Sequence, residues 1–129
     1  MVESSFLQEG KCISFMSVNF PGEFIRHRNA ECHKDKYSSA ELYEKDASWL
    51  VRPALNGKAG ALSFESVNFP GHYMRHRNHL IRKEGTDGSD LYRDDASWHP
   101  RQGFAGGISF ESSNFPGRFL RHQNGMCKN

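Results

Sequence analysis

Long apolar runs are missing from this chain. No stretch reaches about 18 apolar residues, so the sequence offers no candidate for a membrane-spanning helix. Its first twelve residues, MVESSFLQEGKC, contain no apolar signal segment. The expectation is therefore a chain that stays inside the cell or was cut from something larger. Charge of one sign is scarce too. With 17 Lys and Arg against 15 Asp and Glu, the net charge is only +2 with histidine neutral, too little to argue for nucleic acid. Cysteine is sparse and odd in number: Cys12, Cys32 and Cys127 cannot all pair within one chain, and none sits in a Cys-x-x-Cys or metal-ligand spacing. No segment carries a convincing 3.6-residue apolar period, so almost no helix is expected.

What is there is a sentence written three times. Residues 14–29 read SFMSVNFPGEFIRHRN, residues 63–78 read SFESVNFPGHYMRHRN and residues 109–124 read SFESSNFPGRFLRHQN. His27, His76 and His122 hold matching places, 49 and 46 residues apart. In a chain of 129 residues that period leaves room for less than three full copies. One closed threefold domain follows, each copy supplying a third of a shared core. Hydrophobic residues make up 36% and include ten Phe, four Tyr and two Trp, so the core is expected to be aromatic. A mean hydropathy of −0.73 leaves many loops and solvated strand faces.

Each copy reads as four short strands. The first, over 13–17, 62–66 and 108–112, alternates apolar and polar residues with the period of two expected of a half-buried strand. Asn-Phe-Pro-Gly follows at 19–22, 68–71 and 114–117; proline fixes one turn dihedral and glycine takes the one a side chain would forbid. The second strand spans 23–28, 72–77 and 118–123, and the third 31–34, 80–83 and 126–129. A polar loop leads to the fourth, which opens at Asp46-Ala-Ser-Trp49 and Asp95-Ala-Ser-Trp98. Copy three lacks that last segment, but Glu3-Ser4-Ser5-Phe6 near the N-terminus lines up with it. Residues 3–8 are therefore expected to supply the twelfth strand, which pairs the chain ends and removes an exposed edge. The result is an all-β fold, a β-trefoil of three four-strand repeats (12–57, 61–106, and 107–129 with 3–8). Cys32 and Cys127 share a place that Ile81 fills in copy two, so both are expected to be small buried side chains.

The repeated Ser-Phe-Glu-Ser-x-Asn-x-Pro-Gly-x-Tyr/Phe-x-Arg-His-x-Asn, with Asp-Ala-Ser-Trp downstream, resembles the arabinofuranosidase-B carbohydrate-binding domain (AbfB, carbohydrate-binding module family 42). The resemblance covers residues 12–129 almost end to end. It implies a β-trefoil and the binding of arabinofuranose side chains of polysaccharides, usually as an accessory to a glycoside hydrolase. Family members of this kind are mostly secreted. The family's sugar-contacting His and Asp match His27 with Asp46 and His76 with Asp95, both 19 residues apart. His122 has no downstream Asp, and under the proposed closure Glu3, one methylene longer, takes that place. The chemistry suits a furanose, because a carboxylate can accept two hydrogen bonds from neighbouring hydroxyls. Tyr43 and Tyr92 are candidates to cover the apolar face of the ring.

The same residues also admit a structural role. Each His can bond a turn backbone, and each Asp can cap a turn before the fourth strand. Arg26, Arg75 and Arg121 precede each His, alternate to the other strand face, and read as structural partners of a carboxylate or carbonyl. Other chemistries find little footing. His72 and His76 lie on a strand, not one helix turn apart, and no His-Glu-x-x-His occurs, so no metal or other cofactor is expected. Asp94 and Asp95 are adjacent and point to opposite faces of a strand, unable to flank one glycosidic bond. The expectation is a non-catalytic, monomeric glycan binder with neither nucleic acid nor membrane as partner. The competing reading is a trefoil that serves structure or protein interaction without a sugar.

Overall fold

Each Asn-Phe-Pro-Gly segment folds as a tight turn, and these turns set the strand order. The amide after the glycine donates to the phenylalanine carbonyl: Glu23 to Phe20 at 3.1 Å, His72 to Phe69 at 3.0 Å and Arg118 to Phe115 at 3.0 Å. Proline stands second and glycine third, with φ of +88, +84 and +87° at Gly22, Gly71 and Gly117. That is the pattern of a type II turn, whose third position excludes most side chains.

The computed structural model describes residues 7–129. Lobe one runs β1 (Cys12–Ile13), β2 (Glu23–Arg28), β3 (Glu31–Lys36), α1 (Glu41–Asp46) and β4 (Trp49–Pro53). Lobe two repeats it with β5 (Leu62–Ser66), β6 (His72–Arg77), β7 (Leu80–Gly85), α2 (Asp90–Asp95) and β8 (Trp98–Gln102). Lobe three holds β9 (Ile108–Ser112), β10 (Arg121–Gln123) and β11 (Met126–Lys128). Apart from Leu7 and Gln8, the strand expected over 3–8 lies outside the described residues. Two six-residue helices stand where a loop was expected; at under two turns they are too short to show a helical period. In consequence Asp46 and Asp95 close helices rather than open strands, and β4 and β8 begin three residues later at Trp49 and Trp98. No helix among the described residues is long and apolar enough to cross a membrane.

Strand pairing follows one rule in every lobe. The second and third strands form a hairpin: β2 with β3, β6 with β7, β10 with β11. The third strands meet one another at Glu31–Arg82, Met126–His33 and Lys128–Leu80, so that the three hairpins gather into a triangle. The fourth strand pairs forward with the first strand of the next lobe, Trp49 opposite Ser66 and Trp98 opposite Ser112. It also pairs back onto its own lobe, Trp49 opposite Ile13 and Trp98 opposite Leu62. No lobe completes its strand pairing alone.

The core sits where the lobes meet. Phe15, Phe64 and Phe110, one from each copy, form a ring of edge-to-face contacts with centroids 4.9, 5.3 and 5.4 Å apart. This geometry lets the positive edge of one ring face the negative face of the next. Trp49, Trp98, Val51, Met74 and Ile81 pack around them, essentially without solvent contact. Each indole N–H is satisfied, donating to the Ile25 and Met74 carbonyls. Cys32 and Cys127 are buried beside Ile81 as free thiols, and burial pushes the Cys127 thiol up to about 12, so both pack as small apolar groups. Cys12 is an exposed free thiol.

The three hairpins turn on left-handed pairs: Asn29-Ala30, Asn78-His79 and Asn124-Gly125. This is the two-residue geometry that matches the strand twist. Lobes one and two place a side chain at φ of +65°, where lobe three has glycine. Replacing Ala30 with Gly is therefore expected to raise stability by roughly 0.5–1 kcal/mol, the relief of left-handed strain less glycine's added chain entropy. Urea unfolding checks it, and a lower midpoint would show that Ala30 is unstrained.

Candidate functional site

The fold sets His27 and His76 on second strands and Asp46 and Asp95 at the ends of the two short helices, and brings each pair together. His27 Nε2 lies 3.5 Å from Asp46 Oδ1, and His76 Nε2 lies 3.5 Å from Asp95 Oδ1. Neither pair touches solvent freely, since the four residues are 3–5% exposed. Between the members of each pair stands an asparagine of the next lobe. Asn68 donates from Nδ2 to Asp46 Oδ1 at 2.9 Å, and its Oδ1 lies 2.9 Å from His27 Nε2. Asn114 does the same for Asp95 and His76, both at 2.8 Å. A carboxylate can only accept, which fixes the amide nitrogen on the Asp side and the amide oxygen on the His side. Nε2 of each histidine must then carry a proton and donate it.

Serine completes the unit. Ser66 Oγ and Ser112 Oγ lie 3.3 and 3.1 Å from the same Nε2 atoms, and each accepts a turn amide, from Phe69 and Phe115. The phenylalanine of that turn packs on the imidazole, with centroids 5.3 Å apart for Phe69 and His27 and 5.1 Å for Phe115 and His76. Phe69 and Phe115 remain 43% and 45% exposed, the open aromatic wall of each junction. Lobe three meets lobe one in the same way: His122 Nε2 faces Asn19 Oδ1 at 3.1 Å and Ser17 Oγ at 3.2 Å, with Phe20 beside it. There the Asn19 amide nitrogen has no acceptor among the described residues. Glu3, expected to provide one, lies outside them.

The arginines act on the same carboxylates. Arg26 Nη2 lies 2.6 Å from Asp46 Oδ2, and Arg75 pairs with Asp95 Oδ2. Neighbouring residues on a strand start on opposite faces, yet the long guanidinium stem reaches the acid that the imidazole approaches directly. Arg121 has no such acid among the described residues and lies exposed. Tyr43 and Tyr92 do not cover a sugar face. They are buried, lie under the Arg26 and Arg75 guanidinium groups, and donate their hydroxyls to the Asp35 and Glu84 carbonyls. The exposed aromatics beside the imidazoles are instead the turn phenylalanines. The sequence signal for them, and for the Ser and Asn of the wedge, was the recurrence of Ser-x-Asn-Phe-Pro-Gly in all three copies.

Burial pushes His27 and His76 below the ordinary imidazole range, partly offset by the Asn hydrogen bond and the Asp charge. His72, His99 and His122 are lowered by the same desolvation. These rings protonate at lower pH in the folded chain than in the unfolded one, where the value is about 6.5. Their contribution to stability is therefore complete above that pH and lost as pH falls below it. Thermal unfolding between about pH 7.5 and pH 5 should show Tm falling, less steeply in a His27→Gln/His76→Gln variant. A Tm flat across that span would contradict the burial.

Among the described residues, Ile13, Phe15, Phe110 and Leu120 line a cavity of about 320 Å³ where lobe three meets lobe one, edged by Asn19 and His122. Among the described residues no cluster of three or more His, Cys, Asp or Glu is placed to hold a metal ion.

The chain is similar to a domain of known arabinofuranosidases. The profile of the α-L-arabinofuranosidase B (AbfB) domain matches residues 4–60 and 33–128. α-L-Arabinofuranosidase B of Aspergillus kawachii is 36% identical over 56 residues, and that of Aspergillus niger 34%. Those 56 residues are 43% of this chain and 11% of either relative, so the chain corresponds to a small part of a longer enzyme. A solved GH54 α-L-arabinofuranosidase superposes with a TM-score of 0.89 at 27% identity, covering 94% of this chain and 26% of that one. An arabinofuranosidase solved with arabinofuranosyl-α-1,2-xylobiose gives 0.88, again at 27% identity, 94% of this chain and 26% of that one. A mosquitocidal holotoxin, at 10% identity and a TM-score of 0.72 over 93% of this chain and 15% of its own, shares the fold alone.

Proposed function

The chain belongs to the AbfB domain family, and from that footing we propose that it is a non-catalytic, monomeric carbohydrate-binding module of β-trefoil architecture. It holds arabinofuranose-type side chains of polysaccharides at the lobe junctions. His27 with Asp46 and His76 with Asp95 form two pockets; His122 with Glu3 forms the third. The observation that carries this reading is the recurrence of one constellation, Arg-His-Asp with Ser, Asn and Phe from the next lobe, in a family whose named relatives are arabinofuranosidases. Each carboxylate oxygen already accepts one bond and has a lone pair left for a hydroxyl. Phe69 and Phe115 offer an apolar face to the ring. Such shallow sites are weak singly, and affinity would come from several junctions meeting branches of one polymer.

The binding test pairs retention on arabinose-branched xylan and arabinan with Asp46→Asn and Asp95→Asn. Asparagine keeps the volume but removes the charge. Alanine would also remove the acceptor itself, leaving Arg26 and Arg75 with only their second acids, Asp35 and Glu84. Each single variant should weaken retention and the double variant reduce it to what the third pocket alone supports, with Tm monitored to show a folded protein. Full retention by a folded double variant would refute the pocket assignment.

The closure of the ring by residues 3–8 belongs to the same proposal. Trp49 pairs with Ile13 behind and Ser66 ahead, and Trp98 with Leu62 and Ser112. A third residue obeying that rule would pair with Ile108 and Ser17, and both line the 320 Å³ cavity. Phe6, next to buried Leu7, is the candidate to fill it. Phe6→Ala is expected to cost about 3 kcal/mol, as for other buried aromatics; removal of residues 1–6 with no change in Tm would exclude the closure.

A second reading, a structural or protein-interaction trefoil without a sugar ligand, is favoured by the burial of the His–Asp pairs. Absence of any glycan signal from a folded wild-type chain on an array containing arabinoxylan and arabinan would select it.

A further inference from the structure

The three junctions share their His, Asn, Ser and Phe but differ at other positions, one of them two residues beyond the place held by Cys32, Ile81 and Cys127. Lobe one has Lys34 there, lobe two has Lys83 and lobe three has Asn129. Lys34 lies over the Phe20 ring, 4.0 Å from its centroid, and its charge is met by Glu23 at 2.5 Å. Lys83 lies over the Phe69 ring at 3.6 Å and is 7% exposed. But the residue matching Glu23 is His72, and its Nδ1 at 3.4 Å from Nζ is the partner Lys83 has. Among the described residues Lys83 forms no ion pair.

An ammonium carries three N–H donors, and a neutral imidazole takes one of them. A buried cation without a counter-charge is costly, and in lobe one the same lysine has its acid. Burial lowers the Lys83 amine from its ordinary range, with the Asp46 charge among the groups that oppose the shift. The imbalance sits at the proposed sugar site, because Phe69 packs at once on His27 and under Lys83. The junction between lobes two and three is different again. Asn129 holds the equivalent place with both amide atoms buried and, among the described residues, unpartnered, and Arg118, which lies toward Phe115, is engaged with His79 Nδ1 at 3.0 Å.

We propose that the junction between lobes one and two, besides an arabinofuranose branch, accepts a sugar bearing a carboxylate, a uronic acid residue, with Lys83 as its anion-binding group and Phe69 as its ring platform. The junction between lobes two and three, with an amide in place of the amine, takes an uncharged sugar. The two competent pockets are thus not duplicates, and a polymer that carries both acidic and neutral branches engages both. This assignment rests on the sugar-binding reading of the junctions.

The test is an NMR titration of the full chain with methyl β-D-glucuronide, uncharged methyl β-D-glucoside, methyl α-L-arabinofuranoside and acetate. Phe69 ring signals report one junction and Phe115 ring signals the other. Two variants address the amine. Lys83→Met keeps the buried stem, and His72→Glu transplants the pair that lobe one already uses. The glucuronide is expected to shift Phe69 and to bind at least about tenfold more tightly than the glucoside. Both variants should lose that preference, and added salt should weaken it. Equal affinity for glucuronide and glucoside overturns the proposal. So does equal affinity for acetate, or a preference that survives His72→Glu and Lys83→Met in folded protein. Arabinofuranoside shifts at Phe115 stand apart from this outcome. Their absence would count against the arabinofuranose reading while leaving the glucuronide result to stand or fall at Phe69.

Discussion

Each lobe's histidine is satisfied by the next lobe's asparagine. Asn68 keys His27 to Asp46, Asn114 keys His76 to Asp95, and Asn19 reaches His122. A buried imidazole and a buried carboxylate are each unfavourable alone, and the amide offers one acceptor and one donor in the order they require. The unit therefore cannot form within a single repeat. It welds neighbouring lobes in the same direction around the molecule, as the fourth strands do when Trp49 and Trp98 pair forward onto β5 and β9. Polar network and strand ladder impose one constraint: the lobes fold together.

The apolar core obeys it as well. Phe15, Phe64 and Phe110 come from three lobes and meet only when all three are docked. This explains why the repeats tolerate change away from the His–Asn contact and the core phenylalanines. Cys replaces Ile at the buried third-strand position, and Asn replaces Lys two residues on, because neither carries the lobe-to-lobe weld. It also explains why function and stability are hard to separate here. The acids proposed to meet a sugar already hold Arg26 and Arg75, so the site is rigid because it is structural.

Symmetry makes the departures from it informative. At the Glu65 and Glu111 position, both carboxylates accept the turn amide of Gly71 or Gly117 and pair with Arg52 or Arg101; copy one has exposed Met16 instead. At the Glu23 position, copy two has His72 and leaves Lys83 with a neutral partner. The scaffold repeats, and the charge at each junction does not.

Much of this was legible in the residues. The threefold repeat, the turn positions, the bounds of β2, β5, β6 and β9, and the burial of Cys32 and Cys127 follow from period-two alternation, Pro-Gly pairs and the matching of copies. The helices were not, since six residues are too few to reveal a period, and Leu42-Tyr43 and Leu91-Tyr92 read equally well as loop. Nor was the direction of Tyr43 and Tyr92, whose hydroxyls seek backbone carbonyls beneath the arginines. Linear spacing sets His27 and Asp46, and His76 and Asp95, 19 residues apart, and so the sequence alone determines that lobes one and two each carry an imidazole and an acid. Only the tertiary structure decided that an asparagine and a phenylalanine of another lobe complete the unit and that the lysine beside it differs in charge balance. Those contacts span about forty residues, a distance at which side chains meet through packing and leave no periodic trace in the chain.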